Sequence, residues 1–381
     1  MKLLIPVAAG LEQATKRQLF SLGYDKAPAE NGRIALDGSW QDVARLNVFL
    51  RTGERVLIML DRFTATTFDE LYERFYAIAW EEYLTQDSQI LMDGKSVQST
   101  LAAIKAAGGV AKKAVIRRLA DKLHSKKTFT ETGARSIIGF SIYKDEVTVT
   151  LDTSGEGLHK RGYRTLAYSA PLKETLAAGL IESSFYNPDK DMEKPFADPF
   201  CGSGTLPIEA AMKALHIAPG LKRGFDFERW ACAPQGVLET ARQEARDKEN
   251  RLAKPDICAS DINPEAISIA RYHARQAGVE KHIRFSVMNA TAFTSDKKYG
   301  VLICNPPYGE RLSNEKEVQT LMRDFGKAFR SLNEWNAYVL TSLPEFERYF
   351  GKRADKKKKL FNANLPCSLY CYFGKPPKSG D

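Results

Sequence analysis

The sequence predicts an α/β protein, with a C-terminal doubly wound, mostly parallel sheet preceded by a smaller α+β region. Three observations predict it. In the C-terminal half, strand-like apolar runs alternate with helical patterns, as parallel strands joined by crossover helices require. A glycine turn, Asp198-Pro199-Phe200-Cys201-Gly202-Ser203-Gly204-Thr205, joins one such strand to a helix. Asp198, Asp261, Asn289 and Asn305 each fall at the carboxyl end of an expected strand, where ligands of such sheets bind.

The chain has 381 residues, 43% of them hydrophobic and 27% charged, which suits a soluble globular protein of two or three domains. No apolar run reaches the length of a membrane span. A short apolar run at 3–11 outlines a signal peptide, but Pro6 interrupts it, and Leu11, Leu19 and Leu22 continue it as an amphipathic helix. The six cysteines (201, 232, 258, 304, 367 and 371) form no paired framework and no Cys-x-x-Cys. Neither disulfides nor a metal site are therefore expected, and the expected compartment is the reducing cytoplasm.

In the N-terminal half, strands are expected at 3–7, 33–36 and 55–60 and helices at 11–22 and 40–50, a small α+β unit. A helix at 67–83, a strand at 89–92, a helix at 110–124 and a hairpin of 136–143 with 146–151 follow. The net charge of +9 is concentrated here. Residues 94–135 hold ten Lys or Arg against Asp121 and Glu131. Such a basic face is the footprint of a nucleic-acid binder, and a solvated helix face is the bland alternative. Lys95, Lys112, Lys113, Arg117 and Arg118 are the candidate phosphate contacts. The Gly-rich basic segment 155–164 reads as a domain boundary.

In the C-terminal half, strands are expected at 196–198, 256–261, 283–288, 301–304 and 337–341, with a closing antiparallel pair at 360–362 and 368–373. Helices are expected at 264–276 and 317–332, and another opens at Pro171. The glycine turn lacks the Gly-Lys-Ser/Thr of a phosphate loop, and Pro207 stands where a dinucleotide fingerprint needs its third Gly. It offers open backbone and a helix start, but no phosphate signature.

About a hundred residues later stands Asn305-Pro306-Pro307-Tyr308. The two motifs together resemble motifs I and IV of class I S-adenosylmethionine-dependent methyltransferases that act on exocyclic or amide nitrogens. The pattern ahead of them resembles a ferredoxin-like segment (1–65) followed by a THUMP RNA-binding domain (66–155), with the methyltransferase domain at 165–381. Nearly the whole chain, with Asn305 to Leu312, resembles the THUMP-bearing RNA guanine-N2-methyltransferases acting on large-subunit ribosomal RNA. Relatives of that type that carry a second methyltransferase domain are longer.

The resemblance implies S-adenosylmethionine as cofactor and RNA as partner. Asp198, Pro199, Gly202, Gly204, Thr205 and Ile262 would contact it, the helix opening at Pro171 would pack beside its methionine end, and Asp261 would accept from its ribose hydroxyls. Asn289 and Ala290 would meet the adenine, the Asn289 oxygen accepting from the amino group. Asn263 is expected to cap the next helix, leaving Asp261 free. Asn305, Pro306, Pro307 and Tyr308 would be catalytic. A base amine is a poor nucleophile because its lone pair is delocalised. The Asn305 oxygen and the Pro306 carbonyl would each accept one amine hydrogen, and Tyr308 would stack the base. A tRNA guanine-N2, protein-glutamine or DNA adenine-N6 methyltransferase, and a non-catalytic assembly factor, remain as alternatives. The interval from the glycine turn to Asp261 exceeds the usual twenty residues or so, so 215–254 reads as an insertion.

Overall fold

A computed structural model describes every residue of the chain except 31, 125–128, 167–171, 308–314, 333 and 376–381. The N-terminal half contains β1 (Lys2–Pro6), α1 (Glu12–Ser21), β2 (Ala29–Glu30), β3 (Arg33–Asp37), α2 (Trp40–Phe49), β4 (Leu57–Thr64) and α3 (Phe68–Ala77). β5 (Gln89–Val97), α4 (Ile104–Lys122), β6 (Arg135–Tyr143) and β7 (Glu146–Asp152) complete it. All seven strands form one sheet in the order β2-β3-β1-β4-β7-β6-β5. β4 pairs with β1 on one side and β7 on the other, so the two pieces read from the sequence share a single sheet.

Two expected helices change their limits. The helix expected to run to residue 83 ends at Ala77, where Ile78 turns extended. That turn buries Trp80, which stacks on Phe75 at 6.1 Å and donates its indole N–H to the Phe75 carbonyl. The helix expected from Val110 starts six residues earlier, at Ile104, and runs through Gly108 and Gly109. Glycine costs helix stability in isolation. A Cβ at Gly108 would meet Met92 and Phe140 only at ordinary contact distance, and the helix is held instead by Ala107, Ala111, Ala114, Val115 and Leu119, buried against the sheet and α3. Packing outweighs propensity.

The C-terminal half contains α5 (Glu174–Ser183), β8 (Phe196–Asp198), α6 (Thr205–Ala214), α7 (Val237–Lys248), β9 (Ile257–Asp261), α8 (Pro264–Ala277) and β10 (Arg284–Val287). β11 (Val301–Cys304), α9 (Glu315–Arg330), β12 (Asn336–Thr341), α10 (Phe346–Phe350), β13 (Lys356–Asn362) and β14 (Leu365–Tyr372) follow. The sheet order is β10-β9-β8-β11-β12-β14-β13, parallel from β10 to β12 and antiparallel on both sides of β14. Helices cover both faces, so β8, β11 and β12 are buried along their whole length. Among the described residues no helix is long and apolar enough to cross a membrane.

The insertion at 215–254 fastens the two halves together. Its helix α7 lies on α2, with Glu244 gripping Arg45 by both oxygens. Asp226 takes Arg135 in the same two-pronged way, and the Trp230 indole donates to the Arg135 carbonyl. At Gly220 a Cβ would sit 2.4 Å from the Asn47 carbonyl oxygen, an approach that only glycine permits. Beside it, the buried Arg161 guanidinium reaches Glu209 on α6 and the carbonyls of Leu50, Arg51 and Leu158. Tyr163 donates to the same Glu209 at 3.2 Å.

Candidate active site

The glycine turn sits between β8 and α6, at the carboxyl edge of the sheet. Asp198 ends β8 fully enclosed, and its Oδ1 accepts the Phe200 amide at 3.1 Å. Burial lifts its carboxyl well above the ordinary range, and the negative charge of Asp261 acts in the same direction. Gly202 and Gly204 have φ of +50° and +87°. A Cβ at Gly204 would lie 3.0 Å from that of Ala270 on α8. Gly204 thus admits the neighbouring helix, while the less buried Gly202 keeps open backbone toward the cleft.

Asp261 ends β9 and spans the site. Its Oδ2 accepts the Gly202 amide at 2.9 Å and its Oδ1 the Asn263 amide at 3.0 Å. Each oxygen keeps a lone pair for a hydroxyl. Asn263 caps α8 by accepting the Glu265 amide, with Pro264 in the first turn. Next to Asp261, Ile262 and Val287 are 67% and 56% exposed, two large apolar side chains that invite a flat ring. Asn289 departs from its expected role. Its Oδ1 accepts both the amide and the hydroxyl of Thr291, capping the turn that starts at Ala290. Both lone pairs of that oxygen are taken, so Nδ2 is the end left to face a ring nitrogen.

Asn305 follows β11. The register pairs Leu302 with Ala197, so Asn305 lies beside the glycine turn on the adjacent strand. Its Oδ1 is buried and has no hydrogen-bond partner among the described residues. A buried acceptor without a donor costs roughly 1–3 kcal/mol. Pro306 is buried and Pro307 half-buried behind it. Tyr308 lies outside the described residues.

These features fit S-adenosylmethionine. Bound there, its charged end would meet the enclosed Asp198, its ribose would find acceptors on Asp261, and its adenine would lie against Ile262 and Val287.

One positioning residue has almost no signature in the sequence. His273, fully buried on α8, meets the Ser203 carbonyl with Nδ1 (3.1 Å) and the Leu166 amide with Nε2 (3.4 Å). Such a neutral ring donates at Nδ1 and accepts at Nε2, and burial holds its pKa below the usual value. Its only sequence signal is a polar residue in the apolar stripe Ala266, Ala270, Ala274, Ala277.

The basic helix is less free than its composition suggests. Lys112 pairs with Glu131 and donates to the Ile90 carbonyl, while Arg118 takes Glu81 in a two-pronged pair. Arg117 pairs with Asp121 one turn on. Lys113 is exposed on α4. Lys95 is exposed on β5, at a cleft of about 230 Å³ on the sheet face away from α4 that Arg33, Arg55 and Asp152 also line. Of the candidate phosphate contacts, Lys112, Arg117 and Arg118 thus carry an intramolecular carboxylate partner.

Comparison with known proteins matches the three parts of this architecture. The RlmL ferredoxin-like domain matches residues 2–57, the THUMP domain 65–152, and the RMKL-like methyltransferase domain 161–370. Bacillus subtilis YpsC, which carries the name of an RNA methyltransferase, is 40% identical over 96% of this chain and 94% of its own. The ribosomal RNA large subunit methyltransferase K/L of Psychromonas ingrahamii is 33% identical over 97% of this chain. The chain spans about half the length of such K/L relatives, 49% in that case. A Listeria monocytogenes structure named as a predicted N6-adenine-specific DNA methylase is 43% identical, covers 98% of this chain and 96% of its own, and has a TM-score of 0.92. SMU.472, named as a methyltransferase and solved with S-adenosylhomocysteine, is 39% identical over 99% of both chains, with a TM-score of 0.92.

Fold and site together define an S-adenosylmethionine-dependent RNA methyltransferase with an RNA-binding THUMP domain. The chain belongs to the RMKL-like methyltransferase family.

Proposed function

We propose that the protein methylates the exocyclic N2 amine of a guanine in RNA, with large-subunit ribosomal RNA as substrate. The observation that carries this reading is the buried Asn305 Oδ1 beside the glycine turn, which has no hydrogen-bond partner among the described residues. An amine N–H would donate to that oxygen. With the Pro306 carbonyl accepting the second hydrogen, the nitrogen lone pair is drawn out of the ring and aimed. Proline has no N–H, so the loop presents carbonyls as its polar groups. The cofactor supplies an electrophilic methyl on sulfur. Asp198 and the Gly202 loop hold its charged end, Asp261 fixes its ribose, and Tyr308 is assigned to base stacking. Rate enhancement then comes from positioning and electrostatics.

The names of the K/L relatives support ribosomal RNA, and the THUMP domain supports RNA over DNA. The name of the Listeria relative keeps adenine N6 as a second reading. Mass spectrometry of nucleosides from the ribosomal and transfer RNA of a deletion strain separates them. Loss of N2-methylguanosine from the large-subunit RNA is expected. Loss of N6-methyladenosine instead, or of N2-methylguanosine from transfer RNA alone, refutes the proposal.

A further inference from the structure

β13 is the outer strand of the methyltransferase sheet, and it carries four consecutive lysines, 356–359, just after Lys352 and Arg353. In the structure Lys357 is spent on Glu347, but Arg353, Lys356 and Lys359 are exposed with no ion pair among the described residues. Lys358 is half-buried near Arg17 of α1, and burial with the crowding of like charges lowers its pKa. By strand alternation Lys356 and Lys358 share the α1 face with buried Leu360, and Lys359 lies on the opposite face with Phe361, so the cations line both sides of one short edge.

The strand also lies at the right height. β13 runs parallel to β11 and β12. Through β14 and β12, Lys357 aligns with Cys304, so Lys358 is level with Asn305. Three strand spacings separate them, about 15 Å. Phe361, 48% exposed, follows the run on the same strand. Cations beside an exposed aromatic suit a single-stranded nucleic-acid backbone.

We propose that the outer edge of this sheet, with Arg353, Lys356, Lys358 and Lys359, holds the RNA strand flanking the target base. The proposal rests on RNA being the substrate. A flipped base at Asn305 leaves its neighbours on the strand to pass within reach of these side chains. Lysines on an outer strand also guard against edge-to-edge pairing between copies, and the experiment separates the two roles.

The test compares the full-length protein with its R353Q/K356Q/K358Q/K359Q variant, and with K356Q/K359Q, which touches only exposed positions. Binding of a large-subunit RNA fragment is measured against salt, alongside cofactor affinity and dispersity. The logarithmic salt slope should fall by roughly 0.7 per lost single-strand contact, about three units for the fourfold variant, with cofactor affinity unchanged. An unchanged slope and RNA affinity overturn the proposal, and new self-association with normal RNA binding assigns the lysines to edge protection alone. A wild-type protein that binds no RNA refutes the substrate reading itself, and this proposal with it.

Discussion

Asp261 and Gly202 are joined by a 2.9 Å hydrogen bond from the loop amide to the carboxylate. One side chain therefore shapes the turn after β8 and would offer oxygens to a ligand bound there. Asp261→Ala removes both effects. Hydrogen bonds to charged groups contribute about 1.5–3 kcal/mol each, so calorimetry should show cofactor affinity lower by about one to two orders of magnitude. Unchanged binding by the folded variant removes Asp261 from the site.

Asn305→Ala should spare cofactor affinity and slow single-turnover methylation by about two to three orders of magnitude, the usual cost of one preorganised electrostatic contact. Near-normal turnover sinks the assignment. Tyr308→Ala should weaken capture of the base by roughly 1–3 kcal/mol, and Tyr308→Phe should be mild.

Asp198 gives a pH signature. Its folded pKa is raised, so its favourable contribution to the apoprotein exists while it is protonated and is lost as pH rises through that value. A cationic ligand reverses this by favouring the charged form. Cofactor binding should release protons, detectable by calorimetry in buffers of different ionisation enthalpy, and should weaken as pH falls. Asp198→Asn should raise the melting temperature of the apoprotein at neutral pH and abolish both the proton release and most of the cofactor-induced stabilisation. An apoprotein no more stable than wild type contradicts the buried-charge account.

His273 behaves in the opposite sense. Its folded pKa is depressed, so its contribution is complete above the unfolded value and is lost as pH falls through the folded one. Protonation removes the acceptor for the Leu166 amide. His273→Ala should raise the KM for the cofactor more than it lowers kcat. His273→Gln, which can still donate and accept, should recover most of that loss and flatten the acid limb of the profile. A Gln variant as impaired as the Ala variant reduces His273 to a packing residue.

Much of this site was legible because its motifs are local. A glycine turn before a helix, an acid ending a strand and Asn-Pro-Pro-Tyr ending another each lie within a few residues, and turn and cap chemistry is short-range. What the sequence hid is set by distant partners. Nothing local says that Glu131 and Glu81 neutralise Lys112 and Arg118, or that Thr291 occupies the Asn289 oxygen. The limits of α4 were misread for the same reason, since its first turns are held by Ala107 and Ala111 burying against the sheet and α3. Free and paired cations should accordingly differ in assay. Lys95→Gln and Lys113→Gln should lower the salt slope of RNA binding, whereas Arg118→Gln should chiefly lower the melting temperature.

The double pairing of β4 bears on how such proteins are cut and recombined. A fragment holding only residues 66–155 leaves the long edge of β7 bare from Glu146 to Asp152, a template for another copy. A fragment ending at residue 65 keeps β4 on β1 but bares its other edge, from Leu57 to Thr64, where β7 pairs. The RNA-binding module therefore travels as one piece from Met1 through β7, and grafting it onto another catalytic domain requires both halves of the sheet together with the Asn47 and Arg135 surfaces that the insertion grips.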